Sequence, residues 1–160
     1  MIFQGITEDR RLITLAEKVY NNAELENPIA PSDTAVKFVG FLERCRKEWG
    51  FAKDVYIDNA DQATMTELKK YRRLNGCIYN FWDAYKKLEI LDRIKLQLGW
   101  IQQDCYLVVD ECPEHLAELE KYSWEEDKDK PEDRNDHTIN AGQYSWIPYR
   151  NMIGFEEDKK

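Results

Sequence analysis

Two periods alternate along this chain, and together they constrain its fold more than any single motif. Apolar runs of strand length, IFQGI (2–6), RLITLAEKVY (11–20), DVYIDNA (54–60), CIYNFW (77–82) and CYLVV (105–109), are set among longer segments with the helical period. The first two runs are divided only by TEDR, which predicts a β-hairpin with a polar turn. Helix and strand then alternate. SDTAVKFVGFLERCRKEWG (32–50) reads as a helix capped by Ser32 or Asp33, with Val36, Val39, Phe41 and Leu42 inward and Gly50 at its end. DQATMTELKKYRRL (61–74) is a helix with Asp61 as cap and Gly76 just beyond. KKLEILDRIKLQLGWIQQ (86–103) sets Leu88, Leu91, Ile94, Leu98 and Ile101 on one face. CPEHLAELEKYSW (112–124) has Pro113 in its first turn, and HTINAGQYSWIPY (137–149) is a last helix limited by Pro148. This order predicts an α/β fold: a mixed sheet, antiparallel at the hairpin edge and parallel elsewhere, with helices on its faces. The expected organisation is one domain over 1–155 and a tail at 156–160.

With 42% hydrophobic residues in 160, the chain has ample material for a packed core. Its net charge of -8 gives no global basic field to attract nucleic acid, so such contact needs a local basic patch or a bridging divalent cation. KKYRR (69–73) is the densest basic cluster, and a solvated helix face explains it as well as a phosphate contact does. The N-terminus lacks a basic n-region followed by an apolar run, and no stretch of 18 apolar residues occurs, so neither a secretory signal nor a membrane span is expected. Cys45, Cys77, Cys105 and Cys112 form no CxxC and read as reduced core residues; Cys112 and His115 make one potential ligand pair without the second that structural zinc needs. The phosphate loop, dinucleotide and nucleophile-elbow motifs are absent.

Open α/β sheets place ligands at the C-terminal ends of parallel strands. VYIDNADQ puts Asp58 at such an end, where it is either a metal ligand or, like Asn59 and Asp61, a cap for the next helix. RNDHTINAGQYSW (134–146) sets Asp136, His137 and Asn140 at spacings that share one helical face. Their oxygens and imidazole suit a hard divalent cation with an activated water; the alternative is an ordinary helix start capped by Asn135 or Asp136. Glu17 and Asp83 are further acids at strand ends. A two-cation phosphoryl-transfer site needs at least three carboxylates, and only Asp58 and Asp136 are strongly indicated.

VYIDNADQATMTELKKY resembles the strand and helix of the nuclease domain in the large subunit of tailed-phage terminases, where an Asp-x-Ala segment closes the strand. YSWEEDKDKPEDRNDHTINAGQYSW resembles the end of that domain: an aromatic-Trp-acid segment, a charged loop with Lys-Pro, and an Asp-His-x-x-Asp-Ala helix start. LVVDECPEHLAELEKYSW precedes the loop in the same order. The resemblance implies a ribonuclease H-like fold and Mg²⁺- or Mn²⁺-dependent cleavage of double-stranded DNA during packaging in the bacterial cytoplasm. It also implies other terminase subunits or the portal as partners. Asp58 matches a metal-binding and catalytic acid, His137 the helix histidine in both roles, and Asp136 and Asn140 the remaining metal corner.

Two departures follow from the resemblance. Asn140 stands where the family has an Asp, so one ligand carries no charge. The strand with the first catalytic Asp, and the ATPase motor, precede the segment that IFQGI resembles; the expectation is a fragment or a split reading frame. Without that central strand, either the hairpin pairs directly with DVYID or a sheet edge stays open, inviting a homo-oligomer. The alternative function is a non-catalytic packaging module, binding DNA or protein on the same fold.

Overall fold

The hairpin is closed by its own turn chemistry. Thr7 N–H donates to Arg11 O at 2.9 Å, Arg10 N–H donates to Thr7 O at 3.0 Å, and Arg10 takes a φ of 66°. The structure is a computed structural model and describes residues 1–20, 27–52, 54–86, 88–121 and 136–154. Its elements are β1 (Ile2–Ile6), β2 (Leu12–Glu17), α1 (Pro31–Trp49), β3 (Asp54–Ile57), α2 (Gln62–Asn75), β4 (Asn80–Asp83), α3 (Ile90–Gln102), β5 (Tyr106–Val108), α4 (Pro113–Lys121) and α5 (His137–Trp146), followed by a 3-10 helix at Ile147–Met152. The chain is mixed α/β and divides into two compact units. One comprises Met1 and residues 18–84, the other residues 2–17 and 85–160.

In the first unit, α1 and α2 accompany the parallel pair β3–β4. Helix α1 starts one residue before the expected cap. Pro31 occupies the first turn after Ala30, and no side chain caps it; proline needs no partner there because it has no N–H. Its buried stripe is Ala35, Val39, Leu42 and Cys45, with Phe41 alongside. Val36, expected inward, is 55% exposed, because it lies one helical step off that stripe. Helix α2 has the ends the sequence predicts. Asp61 accepts from Thr64 N–H at 3.1 Å, and Gly76 closes the helix at a φ of 66°.

In the second unit, β1 and β2 pair antiparallel with a bulge between Phe3 and Gln4, and β2 pairs parallel with β5. Leu12, Trp100, Cys105, Tyr106, Trp146, Ile147 and Ile153 form its apolar core. Trp100 and Trp146 meet edge to face at 4.9 Å, a favoured geometry for aromatic pairs. Helix α3 does not bury the expected stripe. Ile94 is inward, but Leu98 is 50% and Ile101 40% exposed, while Arg93, Gln97 and Trp100 are buried. The polar members survive burial because they are bonded: Arg93 Nε donates to Leu88 O at 2.7 Å, and Gln97 Oε1 accepts from Gln143 Nε2 at 3.3 Å. Helix α5 ends at Trp146, ahead of Pro148 as expected, and the chain continues as a 3-10 helix with Pro148 in its first turn.

The single mixed sheet expected from the alternation is therefore two sheets, ordered β1-β2-β5 and β3-β4. Both connection types are as expected, antiparallel in the hairpin and parallel elsewhere. The hairpin does not pair with β3; among the described residues β1 has β2 as its strand neighbour and β3 has β4. Cys45, Cys105 and Cys112 are buried and Cys77 half-buried, all as free thiols. Among the described residues, no helix is long and apolar enough to cross a membrane.

Candidate functional site

The parallel register of β3 and β4 aligns Ile57 with Asp83. Asp58, the next residue after Ile57, and Asp83 thus stand at the C-terminal ends of neighbouring strands, which run about 4.8 Å apart. The turn after β3 is built by Asp58 itself. Its Oδ1 accepts from Ala60 N–H at 2.9 Å, and its carbonyl accepts from Asp61 N–H at 2.9 Å. The side-chain cap of α2 is Asp61, while the Asp58 side chain serves the turn before it. Asp58 is half-buried and Asp83 exposed. Lys69, Lys70, Arg72 and Arg73 line the exposed side of α2, as a solvated face would.

In the second unit, Asp136 is 6% exposed and immediately precedes α5. It does not cap that helix with its side chain. Its Oδ2 accepts from Asn140 Nδ2 at 2.9 Å, while its carbonyl accepts from Asn140 N–H at 2.8 Å. The structure therefore brings Asp136 and Asn140 together, as their spacing implied. His137 is exposed and forms no part of that pair. Asn135 and the charged loop lie outside the described residues.

The cap of α5 comes from another helix. Glu118 on α4 points Oε2 at the start of α5, accepting from Thr138 N–H at 2.8 Å, Ile139 N–H at 3.2 Å and Thr138 Oγ1 at 2.6 Å. A carboxylate here satisfies N–H groups that lack intrahelical partners and faces the positive end of the helix. Glu17 does the same for α4. Its Oε1 accepts from Glu114 N–H and its Oε2 from His115 N–H, both at 2.8 Å. Glu17 closes β2 as expected of a strand-end acid, but it serves as a helix cap.

His115 is fully buried, with both ring nitrogens engaged: Nε2 with Tyr106 Oη at 2.8 Å and Nδ1 with Thr138 Oγ1 at 2.9 Å. It is thus not half of a Cys112–His115 metal pair. Burial lowers its pKa to about 4, against a smaller upward pull from Glu118. Burial raises Tyr106 to about 12. Sequence reasoning missed Tyr106, Glu118 and Thr138, since each acts on a partner in another element, 9 residues away for Tyr106 and 20 or more for the other two.

Asp58 and the Asp136–Asn140 corner offer the oxygen donors that hard divalent cations take. Among the described residues, no group of three or more His, Cys, Asp or Glu is placed to hold a metal ion.

No protein-family model and no curated protein matches the chain. Solved structures do. The large terminase of a thermophilic bacteriophage matches at a TM-score of 0.73 and 21% identity, over 92% of this chain and 35% of that one. The same terminase in complex with ATP-γ-S matches at 0.71 and 21%, over 96% and 36%. Its ADP complex matches at 0.68 and 22%, over 88% and 34%. The chain spans about a third of the length of the solved terminase chains, whose fold it shares over that third.

Proposed function

We propose that this chain is a ribonuclease H-like nuclease module of the kind found in tailed-phage terminase large subunits, serving phage DNA packaging. The observation that carries the reading is the likeness, over 88% or more of the chain, to large terminase structures. It is supported by Asp58 standing at the C-terminal end of a parallel strand. The proposed substrate is double-stranded DNA and the proposed cofactor Mg²⁺ or Mn²⁺. Asp58 is the proposed ligand in the first unit, and Asp136, Asn140 and His137 are the proposed donors in the second; Asp58 and His137 are the proposed catalytic residues. The cation would supply a Lewis acid and an activated water. The chain's own residues contribute oxygen donors, and the Asx-type turn at 58–61 fixes where Asp58 sits. Proposed partners are other terminase subunits or the portal, and a second copy through an open sheet edge.

A second reading is favoured by one specific bond. Asn140 Nδ2 donates to Asp136 Oδ2, so the buried carboxylate is satisfied by an amide where a pair of carboxylates would require a cation. This supports a retired nuclease, retained as a non-catalytic packaging module that docks to DNA or protein. The deciding experiment is Mn²⁺-dependent cleavage of supercoiled plasmid, with Asp58→Ala as control. Cleavage by the parent, lost in the variant, supports the nuclease. No cleavage by the parent supports the retired module, and cleavage unaffected by Asp58→Ala sinks the assignment of Asp58.

A further inference from the structure

In the second unit, buried Thr14, Tyr106, His115 and Thr138 join half-buried Gln4, Glu118 and Ser145 in one file of hydrogen bonds whose direction is fixed by chemistry. An ionised carboxylate only accepts, so the hydrogen of Thr138 Oγ1 goes to Glu118 Oε2, 2.6 Å away. Thr138 Oγ1 must then accept from His115, which makes Nδ1 the protonated nitrogen. A neutral imidazole with Nδ1–H has Nε2 as acceptor, so Tyr106 Oη donates to it. Behind Tyr106, the side chains of Thr14 and Gln4 hydrogen-bond with its hydroxyl, and Gln4 Nε2 donates to Thr14 Oγ1 at 2.9 Å. At the far end, Gln4 Oε1 accepts from Ser145 Oγ of α5. The file thus touches α5 at both ends, through Thr138 and Ser145, and runs through β1, β2, β5 and α4 between them.

We propose that this file is a proton-operated latch: with His115 neutral it clamps α5 to the sheet and to α4, and a second proton on His115 releases α5. The release follows from burial of the charge under α5, whose Thr138 and Gly142 cover the ring, and not from loss of the Nδ1–H bond to Thr138, which the imidazolium keeps. An imidazolium has two donors and no acceptor, so Tyr106 loses its acceptor and its hydroxyl hydrogen must turn away from His115. The new charge would sit in a fully buried place, where unpaired charge is disfavoured. The nearby charges do not rescue it. Glu118, on α4 itself, already holds three donors from α5, and Glu17, from β2, already holds the two N–H groups at the start of α4. Tyr106 on β5 is raised to about 12 by burial, Cys112 stands ahead of α4, and α5 faces the ring with Thr138 and Gly142, which carry no charge. Helix α5 carries Asn140 in its first turn, so the latch also governs the Asp136–Asn140 corner. It holds whether or not that corner binds metal, and its test uses no cleavage.

The test combines nitrogen NMR of the His115 ring with amide exchange along α5 across a pH series on the full chain. The expected result is an Nδ1–H tautomer at neutral pH. Amides of residues 139–146 should lose protection as His115 titrates, near pH 4, while β1 and β2 amides stay protected. His115→Asn, which keeps a donor toward Thr138 but has no imidazole to protonate, should push α5 release down to the pH of global unfolding. Thr138→Val, which cuts His115 from Glu118, should raise α5 exchange already at neutral pH while Thr138→Ser restores protection. An Nε2–H tautomer, or loss of α5 and sheet protection together at every pH in the parent, would overturn the latch. So would the same release midpoint in His115→Asn. Should His115→Asn fail to fold, coincidence of ring titration and α5 release in the parent decides the matter.

Discussion

Asn140→Asp is the most informative substitution at the Asp136 corner. In the parent, Asn140 Nδ2 lies 2.9 Å from Asp136 Oδ2 and donates to it. The substitution replaces a donor with a second carboxylate oxygen at the same distance. Losing a hydrogen bond to a charged group costs about 1.5–3 kcal/mol. Two unit charges about 4 Å apart at an effective dielectric near 20 repel by about 4 kcal/mol. The pair has an escape, because two carboxylates can share one proton; for an ordinary carboxyl, taking up a proton at pH 7 costs about 4 kcal/mol. That ceiling limits the expected loss in chelator to about 3–4 kcal/mol at pH 7, shrinking toward pH 5 as the shared proton becomes easier to hold. A divalent cation offers a second escape. Saturating Mn²⁺ or Mg²⁺ should restore most of the loss in Asn140→Asp and do little for the parent. Urea denaturation of both proteins, with chelator and with metal, reads this directly. A variant as stable as the parent in chelator would refute the Asp136–Asn140 bond. A destabilised variant that metal does not recover would refute the corner as a cation site.

Three further outcomes are expected. His115 has a pKa of about 4 in the folded protein and 6.5 as its ordinary value; above pH 6.5 neither state binds the proton, and as pH falls toward 4 only the unfolded chain does. Stability should therefore decline through that window, by up to about 3 kcal/mol, in urea titrations at stepped pH, with the slope reduced in His115→Asn. A Cβ at Gly142 would lie 3.2 Å from Gln4 Nε2 and 3.7 Å from His115 Cε1, so the crowding of Gly142→Ala should outweigh the helix-propensity gain of about 1 kcal/mol and lower the thermal midpoint; an unchanged or raised midpoint would refute that close packing. Glu17→Gln turns one of two helix-capping acceptors into a donor facing an N–H group and should cost about 1–2 kcal/mol, read as a lower melting temperature, with Glu17→Asp intermediate.

The local features were legible because their causes are local. The hairpin, both ends of α2 and the position of Asp58 after β3 follow from turn and cap residues that act within a few positions, and the Asp136–Asn140 contact follows from helical spacing. What the sequence did not reveal depends on partners distant in the chain. Asp136 looked like a cap of α5, yet Glu118, 20 residues before Thr138, takes that role, and Glu17 caps a helix 97 residues later. The inward face of α3 looked like a leucine and isoleucine stripe. Gln143 on α5 and the carbonyl of Leu88 make it favourable to bury Gln97 and Arg93 instead, and Leu98 is left half in water.

Among the described residues, the strands and their directions were in the sequence, but their division into two sheets was not. Periodicity tells which side of a strand is apolar; it does not tell which neighbour its backbone finds, since N–H and C=O groups are the same in every residue. The same holds for His115. Its spacing from Cys112 allowed a metal pair, and only tertiary structure, by bringing Tyr106 to one nitrogen and Thr138 to the other, made it the middle of a hydrogen-bonded file. The sequence by itself determined the elements, their order and the acids at their ends. The packing of distant chain segments decided which of those acids cap helices and which side chains are sealed from water, because those choices are made by partners that no local pattern encodes.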